Sequence, residues 1–497
     1  MNSNFKNATY NAISFIFPVA IGLITTPYIV HKLTTEIYGI YVLATSLMGL
    51  MTFLDLGFGQ GIIKFVSHYE AKGDYNRIND IINTTLVINL IMGIIGGAII
   101  FLFADIFAIK LFNVNEKHRE LAILSFKIVS VGFVLNLVSS TFSNIPRALQ
   151  RYDISVRIQN TIWFLSVMSS VCLLYLGYGL NEMLFFYIVF QFLGIFLYFR
   201  YSKNLLPRLS IYPNFKKDIF NEVFSFSIFT AINSITGNIV FRVDKMIIAH
   251  YLGTSAVTYY QIPFMLSQMA NGFVSSVIQF LFPAVSSLNS KNDKENLKRL
   301  YLKTTRYVIA LSLIIFSGLV IFGKPFLVIW IGKDIANISY PIMIIISLVF
   351  FFNSISNVGF YYYNGLGRAN INMISSFIGA FSYLLASLIL IPMFDLIGAS
   401  ISFIFILIPY PVYIYILNKI LDFPHRDYLF IISKSIVVLL FGYVSYIFLK
   451  NIDAGSLNIG NILIYISAFI VSIILVFLLK FIGIDDYIEV RKRIVDI

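Results

Sequence analysis

The chain has 497 residues, of which 58% are hydrophobic and 12% charged, with a formal net charge of +12; a soluble domain has roughly 45–50% and about 25%. The apolar excess falls in runs of about twenty residues, each able to cross ~30 Å of hydrocarbon as a helix with its backbone hydrogen bonds satisfied internally, so a soluble fold is excluded. The positive charges lie in short loops rather than on one folded basic face, which excludes nucleic acid as the partner and points to orientation in a membrane. Stretches such as 94–103 and 470–479 are apolar without alternation, unlike the strands of a barrel. The one cysteine, Cys172, lies in an apolar span and excludes an intrachain disulfide or a cysteine-based metal site.

Fourteen helices are predicted, at roughly 8–30, 40–63, 80–109, 121–143, 159–179, 183–199, 223–249, 257–285, 305–322, 339–361, 371–391, 396–418, 430–449 and 461–481. The first opens after Lys6 and runs through Pro18 and Pro27 without a small-residue cleavage site, so it reads as a retained, bent membrane helix and not a signal peptide. In the second, Gly57, Gly59 and Gly61 mimic a dinucleotide fingerprint, but they follow a membrane helix and open no βαβ unit; they are expected to bend the helix. Gly93 and Gly97 in the third predict close helix packing. The five histidines show no metal-ligand spacing, and no metal or catalytic constellation is expected.

With the N-terminus inside, the inner segments carry 25 Lys and Arg and the outer loops 7, which places both termini in the cytoplasm. An offset of 219 positions aligns His31 with His250, and in the same register Tyr41 with Tyr260, Gln60 with Gln279, Asp74 with Asp293 and Phe103 with Phe322. The offset spans an even number of helices, so the halves are parallel repeats. The expected organisation is all-α and polytopic: a six-helix bundle over 1–206, a second over 207–421, and two further helices with a tail over 422–497.

Three stretches carry a family resemblance. They are Ile37-Tyr38-Gly39-Ile40-Tyr41 with 53–59 (FLDLGFG); Arg242-Val243-Asp244-Lys245 with Tyr251-Leu252-Gly253 and Tyr259-Tyr260; and Phe322-Gly323-Lys324 with Trp330-Ile331-Gly332. Over essentially its whole length the sequence resembles the Wzx-type polysaccharide flippases of the multidrug and oligosaccharidyl-lipid exporter superfamily. The resemblance implies two six-helix bundles about a central cavity that opens alternately to either side of a bacterial inner membrane. It also implies an undecaprenyl-diphosphate-linked oligosaccharide as cargo, membrane lipids as surroundings, coupling to H+ or Na+, polymerase partners and no cofactor.

A diphosphate crossing hydrocarbon needs a cationic, watered path, because each bare ion costs several kcal/mol there. On the seventh helix Ser227, Thr230, Ser234, Asn238 and Lys245 fall within about 80° of arc at 100° per residue. Arg242 flanks that stripe. Arg242 and Lys245 are the first candidates to hold diphosphate, and a structural ion pair with Asp244 is the competing reading. On the second helix Thr45, Thr52, Asp55 and Gly59 share an arc of about 80°; Asp55 reads either as a coupling or gating acid or as a packed, hydrogen-bonded contact. Lys127 on the fourth helix is the remaining candidate for lining the cavity.

Two other classes compete. A membrane polymerase or ligase would need a sizeable outer loop, whereas the longest here are about fifteen residues and lack paired carboxylates. A MATE-like small-molecule exporter of cationic drugs would favour an acidic cavity over one containing Arg242, Lys245 and Lys127. The charge asymmetry generates a direct check: a reporter active only outside the cytoplasm, fused after Ile497, is expected to stay silent, and activity there would make the number of spans odd.

Overall fold

The structure, a computed structural model, describes residues 3–212, 214–449 and 459–481, without the side chains of 3–16, 52, 228–235, 237–239, 427 and 459. Every regular element among the described residues is helical, and eleven helices are long and apolar enough to cross a membrane. Two of these, Phe17–Asp55 and Ala369–Ile420, contain abrupt breaks at Thr34 (φ 71°, ψ 163°) and at Phe394–Asp395, so each is a pair of helices. With the helix that begins at Lys217 and ends at Leu252, the architecture is consistent with the fourteen predicted spans. The chain is a multi-pass membrane protein.

The repeat is written in the backbone as well as in the residues. The same 219 offset carries Thr34 (φ 71°) onto Gly253 (φ 80°), Gly73 (φ 71°) onto Asn292 (φ 52°) and Asn113 (φ 45°) onto Gly332 (φ 98°). Left-handed backbone is costly for any residue except glycine and, less so, asparagine; its recurrence at three matched positions marks three matched turns. The turn at Gly73 leads to Asp74, whose carboxylate accepts from the Arg77 N–H at 3.0 Å. At the matched place Asp293 accepts from the Asn296 N–H at 3.1 Å. Each caps the helix that follows, a contribution of about 1 kcal/mol. Hydrogen bonds from the Asn296 side chain and backbone hold the Asp293 carboxyl below its ordinary pKa.

Two compact units are formed, Met1–Thr258 and Tyr259–Ile497. In the first, Gly93 and Gly97 of Tyr75–Leu102 press on Arg119–Ala148: a Cβ on Gly93 would lie 3.2 Å from Val134 Cα, and one on Gly97 3.0 Å from the Ser130 carbonyl. That is the close approach which small residues allow where lipid offers no hydrophobic drive between helices. In the second unit, Tyr301 and Tyr428 stack at 5.8 Å. Beside them, the hydroxyls of Tyr362 and Tyr363 donate to the carbonyls of Leu297 and Tyr413 at 2.9 and 2.7 Å, so these two buried phenols have partners. The last two helices, His425–Leu449 and Ile459–Leu478, both pack on Lys294–Ile331.

Between the sixth and seventh helices the chain is stitched to the third. Asn79 and Asn83 donate to the carbonyls of Arg208 and Ser210 at 3.0 and 2.9 Å. Their own carbonyls accept from the Ser210 and Tyr212 N–H groups, each at 3.1 Å. Two side-chain amides thus stand in for a neighbouring strand. Arg77 then pairs with Asp218 at 2.9 Å and Glu222 at 3.2 Å, while Lys216 pairs with Asp80 at 2.8 Å. Replacing Asn83 with Leu strips partners from two backbone groups, a loss of roughly 1–3 kcal/mol. Limited proteolysis is expected to cut residues 206–216 faster in that variant, and an unchanged cutting rate would contradict the stitch.

Candidate functional site

The seventh helix does not run through. Lys217–Asn238 gives way to a π-helical turn over Ile239–Val243, and an α-helix resumes at Asp244–Leu252. Such wide turns are frequent at functional sites. The turn breaks the 100° progression on which the predicted stripe depends, so Lys245 is not carried along one arc from Ser227. Ser227 is buried; the side chains of Thr230, Ser234 and Asn238 lie outside the described residues.

Asp244 and Lys245 are 1% and 3% exposed, and they are paired. Lys245 Nζ lies 3.0 Å from both carboxylate oxygens of Asp244 and donates to the Phe241 carbonyl at 3.0 Å. Asp244 Oδ1 also accepts from the Lys245 backbone N–H at 2.8 Å. The acid sits in the first turn of its helix, where the partial positive charge of the N-terminus favours it. This pair answers which cation Asp244 is hydrogen-bonded to, and leaves Arg242 acted on by the acid only through space.

The Arg242 side chain crosses to the second helix. Its Nη1 donates to the Thr45 carbonyl at 3.1 Å, and its guanidinium lies flat on Gly49, where any Cβ would stand 2.1 Å from Nε and Cζ. Glycine at 49 is therefore what admits the guanidinium. Arg242 is half-buried, lies within electrostatic reach of Asp244 and Tyr187, and has no ion pair among the described residues, since Asp244 is taken by Lys245.

Asp55 occupies a different break. The second helix was expected to be continuous over 40–63; instead a 3-10 turn, Met51–Asp55, is followed by left-handed Leu56 (φ 47°) and Gly57 (φ 75°) before Phe58–Ala71. Hence Thr45, Asp55 and Gly59 do not share one arc, and the Thr52 side chain lies outside the described residues. The expected bend is at Gly57. Gly59 and Gly61 serve close packing: a Cβ there would lie 2.6 Å from Asn144 Nδ2 and 2.5 Å from Val223 Cγ1. The Asp55 carboxylate is half-buried, accepting from the Ser140 hydroxyl at 3.3 Å and from the Gly59 N–H. Lys127 stands apart from these groups, half-buried, with its ammonium 5.5 Å from the Phe101 ring centre.

Beside Asp55, the helices Arg119–Ala148, Tyr152–Tyr175 and Leu180–Leu205 enclose a cleft of about 330 Å³. One wall is Asn136, Ser139, Ser140, Ser143 and Asn144, with Arg147 at its end; Gln159, Trp163, Tyr187 and Gln191 face it. The wall residues recur every three to four positions, the spacing of one helix face. That polar stripe was legible in the sequence and is absent from the predicted site, which looked for polar stripes only where they carry an intramembrane charge. Arg147 is held by Ser155 Oγ at 3.0 Å and Gln159 Oε1 at 3.4 Å. Tyr187 joins the cleft to the surroundings of Arg242.

Comparison with known proteins identifies the family and the fold. The family described as "Polysaccharide biosynthesis protein" matches residues 5–289, and the family described as "MatE" matches 230–389. A protein of Shigella flexneri named "Putative O-antigen transporter" is 22% identical over 416 residues, covering 80% of this chain and 94% of that protein. Among solved structures, the lipid II flippase MurJ in an inward closed conformation superposes with a TM-score of 0.70 at 18% identity, covering 93% of this chain and 97% of that one. An inward-facing multidrug resistance MATE transporter superposes at 0.65 and 11% identity, covering 89% and 96%. The fold is that of MurJ and the MATE transporters, and the chain belongs to the polysaccharide biosynthesis protein family.

Proposed function

We propose that this protein is a flippase that carries an undecaprenyl-diphosphate-linked oligosaccharide from the inner to the outer leaflet of a bacterial inner membrane by alternating access. The observation that carries the reading is Arg242, a half-buried guanidinium in a membrane helix whose neighbouring acid is already neutralised by Lys245. A cation at membrane depth with no ion-pair partner of its own is costly, and a visiting anion relieves that cost. Guanidinium N–H groups beyond the one given to Thr45 suit the two-pronged grip that phosphate oxygens accept. Lys245 and Lys127 add positive potential, the first damped by Asp244. Asp55, at the break of the second helix, is the coupling or gating acid, for H+ or Na+. The repeats 1–206 and 207–421 are the alternating halves, 422–497 is appended, and both termini are cytoplasmic. The name of the Shigella relative and the fold of MurJ support the same cargo class. A small-molecule exporter has the MatE match in its favour, but no carboxylate lines the cleft that such a cation would need.

Substitutions separate substrate binding from structure. Arg242→Ala is expected to leave the protein in the membrane while glycan export falls about tenfold or more, equivalent to at least ~1.4 kcal/mol of anion binding. Arg242→Lys restores export only in part, lacking the fork. Gly49→Ala, which displaces the guanidinium, should mimic Arg242→Ala. Asp244→Asn strands Lys245 and is expected to cost roughly 3–5 kcal/mol, seen as lost expression. Normal export by a well-expressed Arg242→Ala variant would remove Arg242 from the mechanism.

A further inference from the structure

The first unit contains a polar cleft that the anion-binding role of Arg242 does not use. Its wall offers three serine hydroxyls and two carboxamides on one helix face, Ser139, Ser140, Ser143, Asn136 and Asn144. Part of that polarity is consumed internally: Asn144 donates to the Ser140 carbonyl at 2.8 Å, and Ser143 donates to the same carbonyl at 3.3 Å. Asn136 and Ser139 have no hydrogen bond to another described residue. Both are half-buried. Their amide and hydroxyl face the cleft with hydrogen-bonding capacity to spare, so the cleft suits a ligand that supplies hydrogen bonds rather than an acyl chain, which would strip them of water and return none.

Three further features narrow the ligand. Among the described residues that line the cleft Arg147 is the one charge, and Asp55 stands behind Ser140 outside the lining, which disfavours a cation. Trp163, one of two tryptophans in the chain, is half-buried beside Phe17, ring centres 6.5 Å apart, and presents a large apolar body among polar groups. An apolar ring face beside hydroxyl and amide partners matches a pyranose, whose C–H face is apolar and whose rim carries hydroxyls. The volume, about 330 Å³, is near the lower end of ligand pockets, about 300–1,000 Å³, and fits a small saccharide rather than a long glycan.

We infer that this cleft is a saccharide subsite: it takes a sugar of the lipid-linked glycan, stacked on Trp163 and hydrogen-bonded by Asn136 and Ser139, while Arg242 holds the diphosphate. The inference rests on the flippase reading. It makes the cleft a determinant of which glycan is carried, separate from the group that binds every undecaprenyl diphosphate alike. Tyr187, which lines the cleft and feels the charge of Arg242, is the residue common to both.

Two defined lipids test it on the purified full-length protein: undecaprenyl diphosphate, and the same lipid bearing one N-acetylglucosamine. Trp330→Phe leaves Trp163 as the sole tryptophan, so its fluorescence reports on the cleft. The sugar-bearing lipid is expected to bind about tenfold more tightly than the bare one and alone to change Trp163 emission. By thermophoresis, Trp163→Ala and Asn136→Ala should erase that difference and Trp163→Phe should preserve it. Arg242→Ala should weaken both lipids equally. Equal affinity for the two lipids, or an advantage that survives Trp163→Ala and Asn136→Ala in folded protein, overturns the subsite and leaves the flippase reading standing. Failure to bind either lipid overturns both.

Discussion

The structure turns on what hydrocarbon does to charge. An ion in the membrane must find a counter-ion, a carbonyl or water, and within four residues of the seventh helix two different solutions are met. Lys245 folds back on its neighbour Asp244 and on the Phe241 carbonyl, a closed arrangement. Arg242 reaches instead to a carbonyl of the second helix and rests on Gly49. A backbone carbonyl is a dipole rather than a counter-charge, so the guanidinium keeps its capacity for an anion. The π turn is what makes both possible. By adding a residue to the helical repeat at Ile239–Val243, it separates two cations which a regular helix would stack one turn apart.

The breaks in the other helices follow the same economy of polar groups. Where the second helix opens at Leu56–Gly57, Asp55 is met by the Ser140 hydroxyl and the Gly59 N–H, the kind of local partner that irregular backbone needs at membrane depth. Ser140 also belongs to the cleft wall. A change in the charge of Asp55 would thus be felt at one edge of the cleft, while Tyr187 links its far side to Arg242. Break, cleft and guanidinium form one connected set within a single compact unit, which is where a carrier of amphiphilic cargo would concentrate its polar groups.

Much of this was legible in the sequence. The all-helical membrane fold and the 219 repeat follow from hydropathy and identity, and the repeat runs deeper than identity shows, since Thr34 and Gly253 share a positive-φ turn without sharing a side chain. The charged residues were found because charge is rare in such a chain. Their pairing was not, because adjacent residues of a regular helix point about 100° apart, and Arg242, Asp244 and Lys245 could be matched in two ways until the π turn fixed one. The continuous arc through Thr45, Asp55 and Gly59 failed for a related reason: helical-wheel geometry assumes the helix persists through Leu56–Gly57. The cleft was missed although Asn136, Ser140 and Ser143 keep helical spacing with Arg147, because serine and asparagine are each ordinary in a membrane helix and Arg147 falls beyond the predicted end of its span.

The central claim is that the protein itself moves a lipid-linked saccharide and uses Arg242 to hold its diphosphate. The most direct measurement places purified protein in liposomes with fluorescent undecaprenyl-diphosphate-N-acetylglucosamine in one leaflet and follows its arrival in the other with a membrane-impermeant quencher. The expected result is transfer well above protein-free liposomes, lost in Arg242→Ala protein incorporated to the same density. Transfer no faster than in protein-free liposomes, or equal transfer by Arg242→Ala, would contradict the claim.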